Sequence, residues 1–129
     1  MPRILLIDDD EHVRRSVRRL LEWSGYEVLQ AAEGQTGLRL WRERGADLVI
    51  TDICMPSRTG IEVILELRAL APGLALIAIS GGAESRVLDL LGTARQAGAV
   101  RTVPKPFTGL ELLATVREVL QHHPRLPAS

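Results

Sequence analysis

The 129-residue sequence has one cysteine, Cys54. It can form no internal disulfide, and a lone thiol suits a reducing compartment. An excess of either charge is missing too: sixteen basic residues stand against sixteen acidic ones. No overall field therefore draws the chain to nucleic acid or to an anionic membrane. No apolar stretch approaches the ~20 residues that a membrane span needs. The opening MPRILLIDDD is not a signal-peptide pattern, because three aspartates halt its short apolar run. Aromatic residues make up only 3% of the chain: two tryptophans, one tyrosine and one phenylalanine. These absences lead us to expect a cytoplasmic protein that neither enters a membrane nor binds nucleic acid directly.

What is present fits an ordinary globular domain, with 46% hydrophobic and 25% charged residues and enough length to bury one core. Short β-type runs alternate with amphipathic helical patterns, five times over. The runs are RILLI (3–7), YEVLQAA (26–32), ADLVITDI (46–53), LALIAIS (74–80) and VRTV (100–103). The first, third and fourth are apolar almost throughout, as strands covered on both faces are. In the first helical pattern Val13, Val17, Leu20 and Leu21 share a face, and Arg14, Arg15, Arg18 and Arg19 fall largely opposite. Leu38, Leu40 and Trp41 mark the second, bordered by Gly34 and Gly45. Ile61, Ile64, Leu65 and Leu67 mark the third, closed by Pro72-Gly73. Val87, Leu88, Leu91 and Ala94 mark the fourth; Leu110, Leu113, Val116, Val119 and Leu120 mark the fifth. Residues 1–121 are expected to form one domain, and 122–129, ending in HPRLPAS, a short tail or the stub of a linker. Strict alternation implies parallel strands joined by right-handed crossovers: a doubly wound, three-layer α/β domain.

In such sheets ligands bind beyond the carboxyl ends of the strands. The first run ends in Asp8-Asp9-Asp10, the third with Asp52, the fourth in Ser80-Gly81-Gly82 and the fifth in Lys105. Taken singly each is ordinary. Three aspartates after a strand usually form a solvated turn, and Asp10 suits the N-cap of the first helix. A lysine before a proline is commonly a loop residue. Their weight comes from coincidence, since each ends a different parallel strand. Carboxylates brought together raise one another's pKa unless a cation shares them. Mg²⁺, a hard cation with oxygen ligands, fits best. A hydroxyl and an ammonium beside it suit a phosphoryl group, so the chemistry suggested is phosphoryl transfer.

These residues, in this order, resemble the receiver domain of bacterial two-component response regulators. The resemblance rests on LLIDDDEHVRR, DLVITDICMPSRTGIEVI, IAISGG and KPF, and covers residue 3 to about residue 121. It implies a flavodoxin-like sheet in the order 2-1-3-4-5. It also implies that Asp52 accepts a phosphoryl group from a phosphohistidine on a sensor histidine kinase or histidine phosphotransfer protein. Asp9 would ligate Mg²⁺ directly, Asp8 mainly through water, and Asp52 and the backbone carbonyl of Cys54 would complete the protein ligands. Ser80 would follow the phosphoryl group, Gly81 and Gly82 would leave its pocket open, and Lys105 would bond a phosphoryl oxygen. The Lys105-Pro106 bond is typically cis in such domains, and Met55-Pro56 and Gly60 fit the turn after the acceptor. Such a protein is not an enzyme toward other substrates; it catalyses only its own phosphorylation and dephosphorylation and switches binding to a target protein.

Three features depart from that pattern. Thr102 stands where receivers usually carry the tyrosine or phenylalanine that reports activation. The stretch between Ser80 and Lys105 is longer than usual. Pro104 lacks a backbone donor, which places the fifth strand at a sheet edge. Two rival readings stand beside the phosphoacceptor. One is an adaptor that ignores phosphorylation, motivated by Thr102. The other is a Mg²⁺-dependent aspartyl phosphohydrolase, which would need a second acid two residues after Asp52, where Cys54 stands.

Overall fold

The computed structural model describes residues 1–53, 60–80, 92, 95–98 and 101–122. Five strands, β1 (Arg3–Ile7), β2 (Glu27–Ala31), β3 (Leu48–Asp52), β4 (Ala75–Ser80) and β5 (Arg101–Pro104), form one sheet. The order is β2-β1-β3-β4-β5 and every pairing is parallel. The expected α/β architecture is therefore present in its expected order. Helices α1 (Glu11–Trp23), α2 (Gly34–Arg44) and α3 (Gly60–Leu70) and a last helix (Gly109–His122) complete the described elements. Most of the fourth helical pattern, with Val87, Leu88, Leu91 and Ala94, lies outside the described residues.

The strand sequences explain the layering. Ile4, Leu5, Leu6 and Ile7 of β1 are all fully buried, because alternate side chains enter opposite cores. Ile4 and Leu6 join Leu48, Ile50, Ile77 and Ile79 beneath α1 (Val17, Leu21) and the last helix (Leu112, Leu113, Val116, Val119). Leu5 and Ile7 join Val49, Leu76 and Ala78 beneath α2 (Leu38) and α3 (Val63, Ile64, Leu67). Each fully buried Leu or Ile contributes roughly 1.5–3 kcal/mol. This two-sided core is what holds the strand ends in a common plane.

Helix borders follow local chemistry. Asp10 caps α1, its carboxylate accepting from the backbone N–H of His12 (2.9 Å) and Val13 (3.2 Å). Gly45 ends α2 with φ 71°, a conformation costly to a residue with a Cβ. Two helix faces differ from expectation. Leu110 is 78% exposed and the buried face of the last helix begins at Leu112. Leu65 is also exposed, and α3 buries Val63 with Ile64 and Leu67. In both helices apolar residues occupy more than one stripe, so spacing alone leaves the phase open.

Candidate functional site

The turn after β1 holds its shape through Asp8, whose polar groups are all engaged. Its N–H donates to the Ala31 carbonyl (3.1 Å), and its Oδ1 accepts the N–H of Asp10 (2.8 Å). Its backbone carbonyl accepts a hydrogen bond from the Arg14 guanidinium (2.8 Å). Its Oδ2 faces the Lys105 ammonium at 3.4 Å. Asp8 is buried, whereas Asp9, one residue on, is exposed.

Asp52 ends β3, which is buried along its whole length. Thr51 before it is fully buried and donates its hydroxyl to the Asp52 carbonyl (3.1 Å). The start of α3 returns against this point: the Gly60 N–H donates to the Ile53 carbonyl (2.8 Å). A Cβ at Gly60 would lie 2.0 Å from the Asp52 carbonyl oxygen, so only glycine permits the approach.

Lys105 follows β5, with a cis bond to Pro106. Its Nζ lies 3.2 Å from Asp52 Oδ2 and 3.4 Å from Asp8 Oδ2, although 97 residues separate it from Asp8 in sequence. Pro104 is exposed on β5, which among the described strands pairs with β4 alone, so the fifth strand is the edge that its proline implied. Thr102 is half-buried on the same strand.

The electrostatics follow from this crowding. Burial raises the pKa of Asp8 to about 6; the Asp10 N–H opposes the shift, the Asp52 charge adds to it, and Lys105 only partly offsets it. For Lys105 burial favours the neutral form, but Asp52 and Asp8 together outweigh it and hold the pKa above the ordinary lysine value. The ammonium therefore stays charged at neutral pH. Exposed Asp10 is shifted down, chiefly by the Val13 N–H that it caps.

Carboxylate oxygens of Asp8, Asp9 and Asp52 lie within 4.8 Å of one another. Lys105 contacts two of these three carboxylates, those of Asp8 and Asp52. An all-oxygen donor set fits a hard divalent cation. Of the residues singled out in the sequence, Asp8, Asp9, Asp52 and Lys105 come together here. Ser80 ends the adjacent β4, in register with Pro104. Cys54, Met55, Pro56, Gly81 and Gly82 lie outside the described residues. Sequence reasoning missed the Arg14 and Thr51 contacts. Arg14 falls among the four basic residues opposite the apolar face of the first helical pattern, where a docking surface and a solvated face are both open readings, and a tertiary hydrogen bond to a carbonyl leaves no pattern in sequence.

Comparison with known proteins identifies the family. Residues 4–117 match the response regulator receiver domain family, and the chain belongs to it. It is 38% identical over 121 residues to response regulator MprA of Mycolicibacterium vanbaalenii, covering 92% of this chain and 50% of that protein. It is 35% identical over 122 residues to the transcriptional regulatory protein CpxR of Klebsiella pneumoniae, covering 94% and 50%. The chain thus spans about half the length of the curated relatives it matches. Among solved structures, a CheY-like receiver domain protein from Methanospirillum hungatei superposes with a TM-score of 0.88 at 32% identity, covering 95% of this chain and 96% of that one. A receiver domain protein from Clostridium thermocellum gives 0.86 at 31% identity, with the same coverage.

Proposed function

We propose that this chain is a phosphoacceptor of two-component signalling that takes a phosphoryl group on Asp52 and changes its binding to a target protein. The observation that carries this reading is the meeting of Lys105 with both Asp52 (3.2 Å) and Asp8 (3.4 Å) at the strand ends of a receiver domain. A carboxylate oxygen of Asp52 attacks the phosphorus of a phosphohistidine on a sensor kinase or phosphotransfer protein. The P–O bond forms as the P–N bond breaks, and the departing imidazole takes up a proton. Asp52 is a weak nucleophile, so positioning and charge neutralisation supply most of the acceleration. Lys105 neutralises charge on a phosphoryl oxygen from its place beside the acceptor, and Ser80 at the end of β4 takes the hydroxyl role.

Asp9 would ligate Mg²⁺ directly and Asp8 mainly through water, with Asp52 and the Cys54 carbonyl completing the protein ligands. When bound, the ion spreads the charge of the equatorial phosphoryl oxygens. Gly81 and Gly82 would leave room for that group. The balanced charge of the chain supports a protein partner rather than direct contact with nucleic acid. Incubation with a small phosphodonor such as acetyl phosphate tests the reading. Labelling should require Mg²⁺ and vanish in Asp52→Asn; equal labelling of that variant would sink the assignment.

A second reading, an adaptor that keeps the site but ignores its phosphorylation, draws on half-buried Thr102, which offers β5 no ring to move. Partner binding that is the same with and without beryllofluoride would favour it.

A further inference from the structure

Asp9 poses a problem of aim. It is exposed, and its carboxylate has no hydrogen-bond partner among the described residues, so only its backbone directs it toward Asp8 and Asp52. Two peptides flank it. The one after it is fixed by its N–H, which belongs to Asp10 and donates to Asp8 Oδ1 at 2.8 Å. The one before it is fixed by its carbonyl, which belongs to Asp8 and accepts from the Arg14 guanidinium at 2.8 Å. Arg14 also donates its backbone N–H to the Asp10 carbonyl (2.9 Å). One residue of α1 therefore grips both ends of the acidic turn. Its neighbours behave differently: Arg15 pairs with Glu11 and Arg18 with Glu22, each one helical turn away.

We infer that Arg14 is a positioning residue for the divalent cation, holding the Asp8–Asp9 peptide so that the Asp9 carboxylate faces the other two. The inference rests on the reading of Asp9 as a Mg²⁺ ligand. Its partner is a backbone carbonyl, so Arg14 acts on the turn's direction and never on the ion. Groups that orient metal ligands from behind commonly account for 10–100-fold of metal affinity.

The charge of Arg14 makes the test decisive in sign. Taking a positive charge away from an acidic cluster favours cation binding by Coulomb's law. Charge alone thus predicts that Arg14→Ala binds Mg²⁺ more tightly, and positioning predicts that it binds more weakly. Calorimetric titration with Mg²⁺ should show Arg14→Ala weakened by about tenfold. Arg14→Lys, which keeps a donor able to reach the carbonyl, should recover part of the loss. In an Asp9→Asn background, where there is no carboxylate left to aim, Arg14→Ala should cause no further loss. A parent whose Mg²⁺ affinity falls with Asp9→Asn but not with Arg14→Ala overturns the inference and leaves the metal reading intact. So does an additive loss in the double variant, which would mark a general weakening of the fold. A parent that binds no Mg²⁺ overturns both.

Discussion

Asp8 sits at 1% exposure with the Lys105 ammonium beside its carboxylate, and its protonation links the site to stability. A folded-state pKa of about 6, against an ordinary value of 3.8, means that the folded protein binds this proton more tightly than the unfolded chain does. Stability from this group is therefore present at low pH and is lost as pH rises from about 4 through about 6. At pH 7 the ionised carboxylate costs the metal-free protein on the order of 3 kcal/mol. Asp8→Asn should consequently be more stable than the parent at pH 7 in urea unfolding, with a flatter stability profile between pH 4 and pH 7. A parent as stable at pH 7 as at pH 5, and no gain in the variant, would contradict this account. Lys105 is shifted in the same direction for a different reason: burial favours its neutral form, but two carboxylates outweigh it, so its contribution is present at neutral pH and is lost only as pH rises through the raised lysine value. The meeting of Asp8, Asp52 and Lys105 was legible in the sequence for a simple reason: each stands at the end of a strand, and parallel strands put their carboxyl ends on one edge. The grip of Arg14 on Asp8 was not legible, since nothing in helical spacing tells a solvated arginine from one folded back onto a turn.

At the scale of elements, α3 and β5 bring opposite lessons. Helix α3 can start where it does only because Gly60 lets it meet the Asp52 carbonyl. Gly60→Ala must push that helix away from the end of β3 or twist the strand that carries Asp52. A loss of roughly 1–3 kcal/mol is expected from such overpacking, read as a lower urea midpoint, together with weaker labelling of Asp52. An unchanged midpoint would show that the turn after β3 has slack. Glycine after an acid-bearing strand was visible in the sequence, but the close approach that makes it necessary is a tertiary fact. Strand β5 was legible in more detail, because Pro104 could not sit in a central strand and the sheet order puts it at an edge. The helix faces were read less well. In GIEVILELRAL apolar residues surround most of the helix, and only the sheet beneath selects Val63, Ile64 and Leu67 over Leu65.

For the whole molecule, the two-sided core and the acidic site are coupled through β1 and β3, which are buried in both layers and carry Asp8 and Asp52 at their ends. A cation that binds only the folded protein stabilises it by mass action. Mg²⁺ should therefore raise the melting temperature, and by more at pH 7 than at pH 5, because below pH 6 the ion must displace a proton from Asp8. An equal shift at both pH values would separate the ion from Asp8. Fold class and strand order followed from the alternation of segments together with the family resemblance, since five short strands separated by helices admit few arrangements. Which protein would bind this chain did not follow, because partner choice depends on surface shape and charge rather than on periodicity. The most direct measurement of the central claim is chemical. Phosphorylated protein is reduced with borohydride, which converts an aspartyl phosphate to homoserine, and its peptides are then sequenced by mass spectrometry. Homoserine at position 52 alone is the predicted result. Homoserine at position 8 or 9, or at none, would contradict it.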